Sequence, residues 1–202
     1  MISTVTGLYD TYSDAEMTVR DLKGANILDA DIAMLSNNVS ESMETSDGAA
    51  NGAGAGAAVG GVAGAGVGGL TGLGLLAIPG VGPVVAAGWL AATVVGAAAG
   101  IGAGAMAGGL IGAMTDTGIS NDEANVYAEG VRRGGTLVTV RVDESRIAAI
   151  GAIMARHGRV DHVVREGMYR DSGWTSFDQY GAPYTPVEIA RERAAQAARQ
   201  TI

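Results

Sequence analysis

Apolar and polar positions alternate in three different regimes along the chain. Thr4-Val5-Thr6-Gly7-Leu8-Tyr9 is a β-prone run that ends at Asp10. Ser13 with Glu16 three residues on is a capping-box pattern, in which each side chain takes an orphan amide of a helix start. Ala15, Val19 and Leu22 follow at helical spacing, and Gly24 suits the position just past a helix end. Asp31-Ile32-Ala33-Met34-Leu35 reads as a second strand. Much later the plan repeats. Ser120 and Glu123 open a helix over 121–133, Gly134-Gly135 stop it, and Thr136–Val142 is the clearest strand in the chain. Asp143 caps a helix over 144–157, with Ile147, Ile150 and Met154 on one face, and Val160-Asp161-His162-Val163-Val164 reads as a last strand. Two strand–helix–strand units of this size usually share one sheet with helices on one face. The expected fold is an α+β, ferredoxin-like split βαβ sandwich, discontinuous in sequence over 1–47 plus 116–166.

Between the two units the pattern is of another kind. From Gly48 to Thr115 there is no charged residue and no histidine, and this stretch of 68 residues holds 22 of the 33 glycines. Gly52, Gly56, Gly60, Gly64, Gly68 and Gly72 recur every fourth residue. Gly88, Gly96, Gly100, Gly104, Gly108 and Gly112 do the same, with Ala92 in the one gap. A strand alternates its faces every two residues, so a period of four has no meaning there. On a helix it leaves a ridge without side chains, against which another backbone packs closely. Pro79, Gly80, Gly82 and Pro83 supply the break between the two arms. Residues 48–115 are therefore expected to form a glycine-zipper helical hairpin with a bulky apolar tip of Leu70, Leu73, Leu75, Leu76, Ile78, Val81, Val84, Val85, Trp89, Leu90, Val94 and Val95. Six glycines per arm cost about 1 kcal/mol each against Ala, so lipid or neighbouring copies must offset them. Spanning the membrane, dipping into it, and packing with other copies into a protein-walled core all remain open. A structureless Gly/Ala linker is the bland competitor, and the regularity of the stripes argues against it. Gly64-Ala65-Gly66-Val67-Gly68-Gly69 matches a dinucleotide fingerprint only as any glycine-rich tract does, and no acidic partner follows it.

Composition narrows the function. The net charge of −8 opposes binding to a phosphate backbone, so no nucleic-acid partner is expected. The chain has no Cys, hence no thiol chemistry and no zinc–thiolate site. His157 and His162 are the only histidines and show no ligand spacing. The acids between Asp10 and Asp31 lack the spacing of a calcium loop, and cap and turn duties account for most of them. No triad can be drawn, so no enzyme, cofactor or metal is expected. The opening Met1–Gly7 has neither a basic nor an apolar leader pattern, which points to a cytoplasmic start. In 167–202, Tyr169, Trp174, Phe177, Tyr180 and Tyr184 crowd into a stretch that reads as an extended arm, either wrapping its own domain or docking on a neighbour. Thr185-Pro186-Val187-Glu188 then opens a final helix.

The words Val5–Asp10, Ser13–Glu16 and Asp31–Leu35, with Val126-Tyr127-Ala128-Glu129-Gly130-Val131-Arg132-Arg133-Gly134-Gly135 before a strand, resemble the bacterial general stress protein family, the heat-induced seventeen-M-like domain. Several members of that family also carry a Gly/Ala-rich insertion. The resemblance covers about residues 4–165 and implies a non-enzymatic, stress-associated protein that touches membrane; it brings no catalytic residue. The expected function is structural: self-association through the glycine hairpin at or in the cytoplasmic membrane, with the polar domain in the cytoplasm. The competing readings are a soluble cytoplasmic homo-oligomer with the hairpins as its core, and a small-ligand-sensing module.

Overall fold

A computed structural model describes residues 2–37, 74–78, 80–90, 93 and 109–200. The fold is α+β, built on a five-stranded sheet in the order β1-β5-β2-β4-β3, with every neighbouring pair antiparallel. The strands are β1 (Ile2–Tyr9), β2 (Ile32–Ser36), β3 (Gly74–Ile78), β4 (Gly82–Ala87) and β5 (Thr136–Asp143). The helices used below are α1 (Tyr12–Gly24), α2 (Gly109–Thr115), α3 (Asn121–Arg132), α4 (Ile147–Ala155), α5 (His162–Asp171) and α6 (Pro186–Gln200).

The first unit forms as its pattern predicts, with shifted ends. Thr11, not Ser13, caps α1, accepting from the Asp14 amide at 3.1 Å. Beyond Gly24, Asn26 takes the left-handed turn at φ 59°, a conformation an Asn side chain tolerates. β5 inserts between β1 and β2, so the β1–α1–β2 crossover is split. Val138, Val140 and Val142 point to one face, with Ile32, Met34, α1 and α4; Leu137 points to the other, with Leu8, Leu35, α2 and α3. The helices thus cover both faces rather than one. The nearly unbroken burial along β5 is the signature of a strand covered on both sides.

Residues 160–164 do not form the expected strand. Val160 gives one backbone bond to the Leu8 carbonyl at 2.8 Å, and then Asp161 accepts from the Val163 and Val164 amides and starts α5. Local capping overrides the β propensity of the valines, which end on the exposed side of the helix. These amides hold the Asp161 carboxyl below its ordinary pKa, and the Thr185 amide and hydroxyl do the same for Glu188 at the start of α6. Folded values lowered in this way mean stability that is present above the ordinary carboxylate range and lost as pH falls through the folded values. The expected result is that on acidification the protection factors of amides in the first turns of α5 and α6, taken against the intrinsic exchange rate at each pH, fall before those of the sheet amides.

The centre of the uncharged stretch also departs from expectation. β3 and β4 form an antiparallel hairpin, Gly74↔Ala86 to Ile78↔Gly82, and β4 joins β2 through Met34↔Ala87 and Ser36↔Val85. The break read between two helical arms is therefore a β-turn region, with Gly80 at φ 75° and Gly82 at φ 95°, and Pro83 is the exposed second residue of β4. Pro79 lies outside the described residues. β-Branched Ile78, Val84 and Val85 suit strands, and a sheet neighbour is available in β2. Ile78, Val81, Val84 and Leu90, expected at an apolar tip, belong to the buried cluster on the α3 face, and Val85 is buried as well. Of the glycine stripes, Gly88 follows β4 at φ 83° and is not helical, whereas Gly112 lies in α2. Gly52, Gly56, Gly60, Gly64, Gly68, Gly72, Gly96, Gly100, Gly104 and Gly108 lie outside the described residues.

Candidate functional site

The densest polar arrangement among the described residues lies where the end of β1 meets α3, α5 and α6. It begins with α3. Ser120 accepts from the Glu123 amide and starts the helix, and Gly134 at φ 95° ends it. A Cβ at Gly130 would overlap Leu8 of β1, so the C-terminal half of α3 lies close on the sheet. That approach buries Glu129 to 1% exposure.

Glu129 is matched by cations one turn on. Arg133 Nε donates to Glu129 Oε1 at 2.7 Å, and Arg132 Nη1 lies 3.4 Å from Oε2. Arg133 also donates to Glu192 of α6 at 3.1 Å. From α5, Arg165 holds Asp10 with its two terminal guanidinium nitrogens, at 2.8 and 2.9 Å. The Gln196 amide fits with its nitrogen 3.0 Å from Asp10 Oδ1 and its oxygen 2.9 Å from Arg165 Nη1. Tyr169 fills the space between, with the Arg133 guanidinium 4.2 Å from its ring centre and Trp174 edge-on at 5.7 Å.

Burial opposes the charge of Arg133 and Arg165, but bonds to Glu129 and Glu192 in one case and to Asp10 in the other outweigh it and raise both pKa values. Burial pushes the Tyr169 phenol up to about 12. A cavity of about 50 Å³ opens beside Arg133, Tyr169, Glu192 and Gln196, room for water or a small ion and not for an organic substrate. Each carboxylate here already holds a guanidinium, so the arrangement is a fastener rather than an acid–base pair.

The sequence-derived candidates fall around it. Tyr169 belongs to α5 rather than to an extended arm. Phe177 packs on the core and donates its amide to Asn125 Oδ1 at 3.1 Å; Tyr184 lies under Arg132, 5.2 Å from the guanidinium; Tyr180 is 86% exposed. The arm passes over the β3–β4 turn: a Cβ on Gly80 would lie 2.5 Å from the Asp178 carbonyl, and one on Gly82 2.7 Å from Pro183. His157 bonds Asp21 at 2.9 Å and joins α4 to α1. His162 rests edge-on against Tyr127, whose hydroxyl donates to Glu123 and whose pKa burial raises. Among the described residues no group of three or more His, Asp or Glu is placed to hold a metal. Among them, too, no helix is long and apolar enough to cross a membrane.

Sequence reasoning missed Asp10, Glu129, Arg133, Arg165, Glu192 and Gln196. The one available signal was Glu129 standing between Ala128 and Gly130 with two arginines a turn later. Comparison with family models, with curated proteins and with solved structures gives no match.

Proposed function

We propose that the chain is a non-enzymatic, self-associating protein of the general-stress-protein kind, in which the α+β domain holds the glycine stripes in place for pairing. The observation that carries this reading is the β3–β4 hairpin. Gly74 sits opposite Ala86, so the stripe ending at Gly72 arrives, and the stripe continuing past Gly88 departs, at the same open end of the hairpin. The chain therefore enters and leaves the hairpin in opposite directions at one end, which supports a reading in which the two stripes pair by close backbone contact. The reading keeps the ferredoxin-like plan for the domain: β1, α1 and β2 with β5 between the strands support it, and the plan's fourth strand would lie where Val160 bonds Leu8.

Of the bulky residues expected at an apolar tip, Ile78, Val81, Val84 and Leu90 are used in the core, while Leu70, Leu73, Leu75, Leu76, Val94 and Val95 lie outside the residues whose side chains are described, so membrane association rests on those and on the stripes. That burial favours the second reading, a soluble homo-oligomer whose glycine segments pack with one another. Replacing Gly64 and Gly100 together by Leu is expected to abolish large assemblies on sizing with light scattering while the far-ultraviolet spectrum of the domain persists. Normal assembly of the double variant would sink the proposal. Alkaline carbonate fractionation of the untagged protein separates the two readings: lipid insertion sends it to the pellet, and self-packing leaves a large soluble particle.

A further inference from the structure

The tip of a β-hairpin ordinarily meets solvent. The tip of β3–β4 does not: Gly80, Val81 and Gly82 are buried, Val81 to 0% exposure. The segment between α5 and α6 passes over it. Asp178 and Gln179 lie on Gly80, and Pro183 lies on Gly82, so closely that neither glycine has room for a Cβ. α3 holds this segment at two points. The Phe177 amide donates to Asn125 Oδ1 at 3.1 Å, and the Ala182 carbonyl accepts from Arg132 at 2.9 Å. Asn37, directly after β2, ties the same tip to the body, since its amide donates to the carbonyls of Val81 and Arg132, both at 3.1 Å.

α6 anchors the far end of the segment. Of its described side chains only Ile189 and Gln196 are buried. Ile189 lies on Gly134, and Arg193 donates to the Gly134 carbonyl at 2.9 Å. Glu192 reaches Arg133, and Gln196 fits between Asp10 and Arg165. The helix thus has one apolar anchor and several polar ones. Parts of a protein held in this way open before the whole molecule does.

We propose that residues 177–200 form a latch, which lifts from the body as one unit while the sheet stays closed and thereby uncovers the β3–β4 tip. The two halves of the latch are coupled through neighbouring arginines: Arg132 holds the segment at Ala182, and Arg133 holds α6 at Glu192. Tyr184, between the halves, lies against both guanidiniums, at 5.2 and 5.7 Å. The sheet is independent of the latch, because β5 pairs with β1 and β2, and β4 pairs with β2 and β3. The hairpin that interrupts the neutral tract therefore has a cover with an opening of its own. The latch does not depend on how the glycine stripes associate.

Native-state hydrogen exchange on the full chain reads this, in the parent and in two variants altered only on α6. Ile189→Asp removes the apolar anchor, and Glu192→Lys turns an attraction to Arg133 into a repulsion. The amides of 190–195 report on α6, and Gly181, which donates to Asp178, reports on the segment. Val81, which donates to the Ile78 carbonyl at 3.1 Å, reports on the tip. In both variants protection is expected to fall about tenfold or more, by a common factor, at all three places, with the β1–β5 ladder unchanged. If α6 loses protection while Val81 keeps the parent's, the helix frays alone and the proposal is overturned. Equal loss along the β1–β5 ladder also overturns it, since release would then be global unfolding. So does unchanged protection of α6 in both variants, because the anchors would not be what holds it.

Discussion

Gly88→Ala is expected to be among the most damaging single substitutions in the described part of the chain, and Gly112→Ala to be harmless or better. Gly88 has φ 83°, where an L side chain costs roughly 1–2 kcal/mol. Its Cβ would also overlap the Ile32 carbonyl oxygen and lie 2.8 Å from Ala33 Cα. Both obstacles are backbone of the interior strand β2, so no rotamer change relieves them. A loss of about 3–4 kcal/mol follows, or a fall in melting temperature of ~10 °C for a chain of this size. The turn also places Trp89, whose indole N–H reaches the Asp31 carbonyl at 3.3 Å and whose ring lies 4.8 Å from the Arg141 guanidinium. Gly112 belongs to the same four-residue stripe, but a Cβ there meets nothing within 4 Å. In a helix, Ala is favoured over Gly by about 1 kcal/mol. Thermal melts of the two variants therefore separate the two roles. Equal losses would mean that stripe packing, and not turn geometry, sets the requirement for glycine at both positions.

The second large effect is expected from Glu129→Ala. Glu129 is 1% exposed and holds Arg133 at 2.7 Å and Arg132 at 3.4 Å. Removing one member of a buried pair strands the other's charge, a loss of about 3–5 kcal/mol. Arg133 keeps Glu192, which is partly solvated, so the lower end of that range is expected. A well-packed apolar replacement of both partners can be nearly neutral, so Glu129→Met with Arg133→Met is expected to recover most of the loss. Urea unfolding of the parent, the single variant and the double variant measures this. A single-variant loss below about 1 kcal/mol would show that water enters the cluster and carries the arginine charge.

What was legible in the sequence was what is local. The Ser120 and Thr185 boxes gave α3 and α6 their starts, because the bonds that make a cap lie within three residues. Thr136–Val142 was plain as a strand, since its β-branched run leaves little alternative. Its near-continuous apolar character also carried the two-sided burial, but the repeat of two βαβ units drew attention to a one-sided sandwich instead. At 160–164 the valines and the Asp161 cap gave opposite signals, and the cap prevailed. In the uncharged segment the four-residue glycine period extends the helical expectation to 74–78 and 84–88, on either side of the break, where β-branched residues and a pairing partner in β2 decide for strands. Of the charged fastener only the local part, Glu129 with Arg132 and Arg133 a turn later, is legible. Arg165 and Asp10 stand 155 positions apart, and Glu192 meets Arg133 only after α6 has packed. No spacing rule reaches that far.

The place of β5 governs how the chain must fold. It is the last strand made, yet it lies between the first two, and contacts such as Thr6 with Thr139 close over 133 positions. During vectorial synthesis β1, β2 and the whole neutral tract leave the ribosome before the strand that joins them exists. Closing so long a loop is slow, and unpaired strands remain exposed to other nascent chains throughout. Each copy thus carries an unfinished sheet until β5 has emerged.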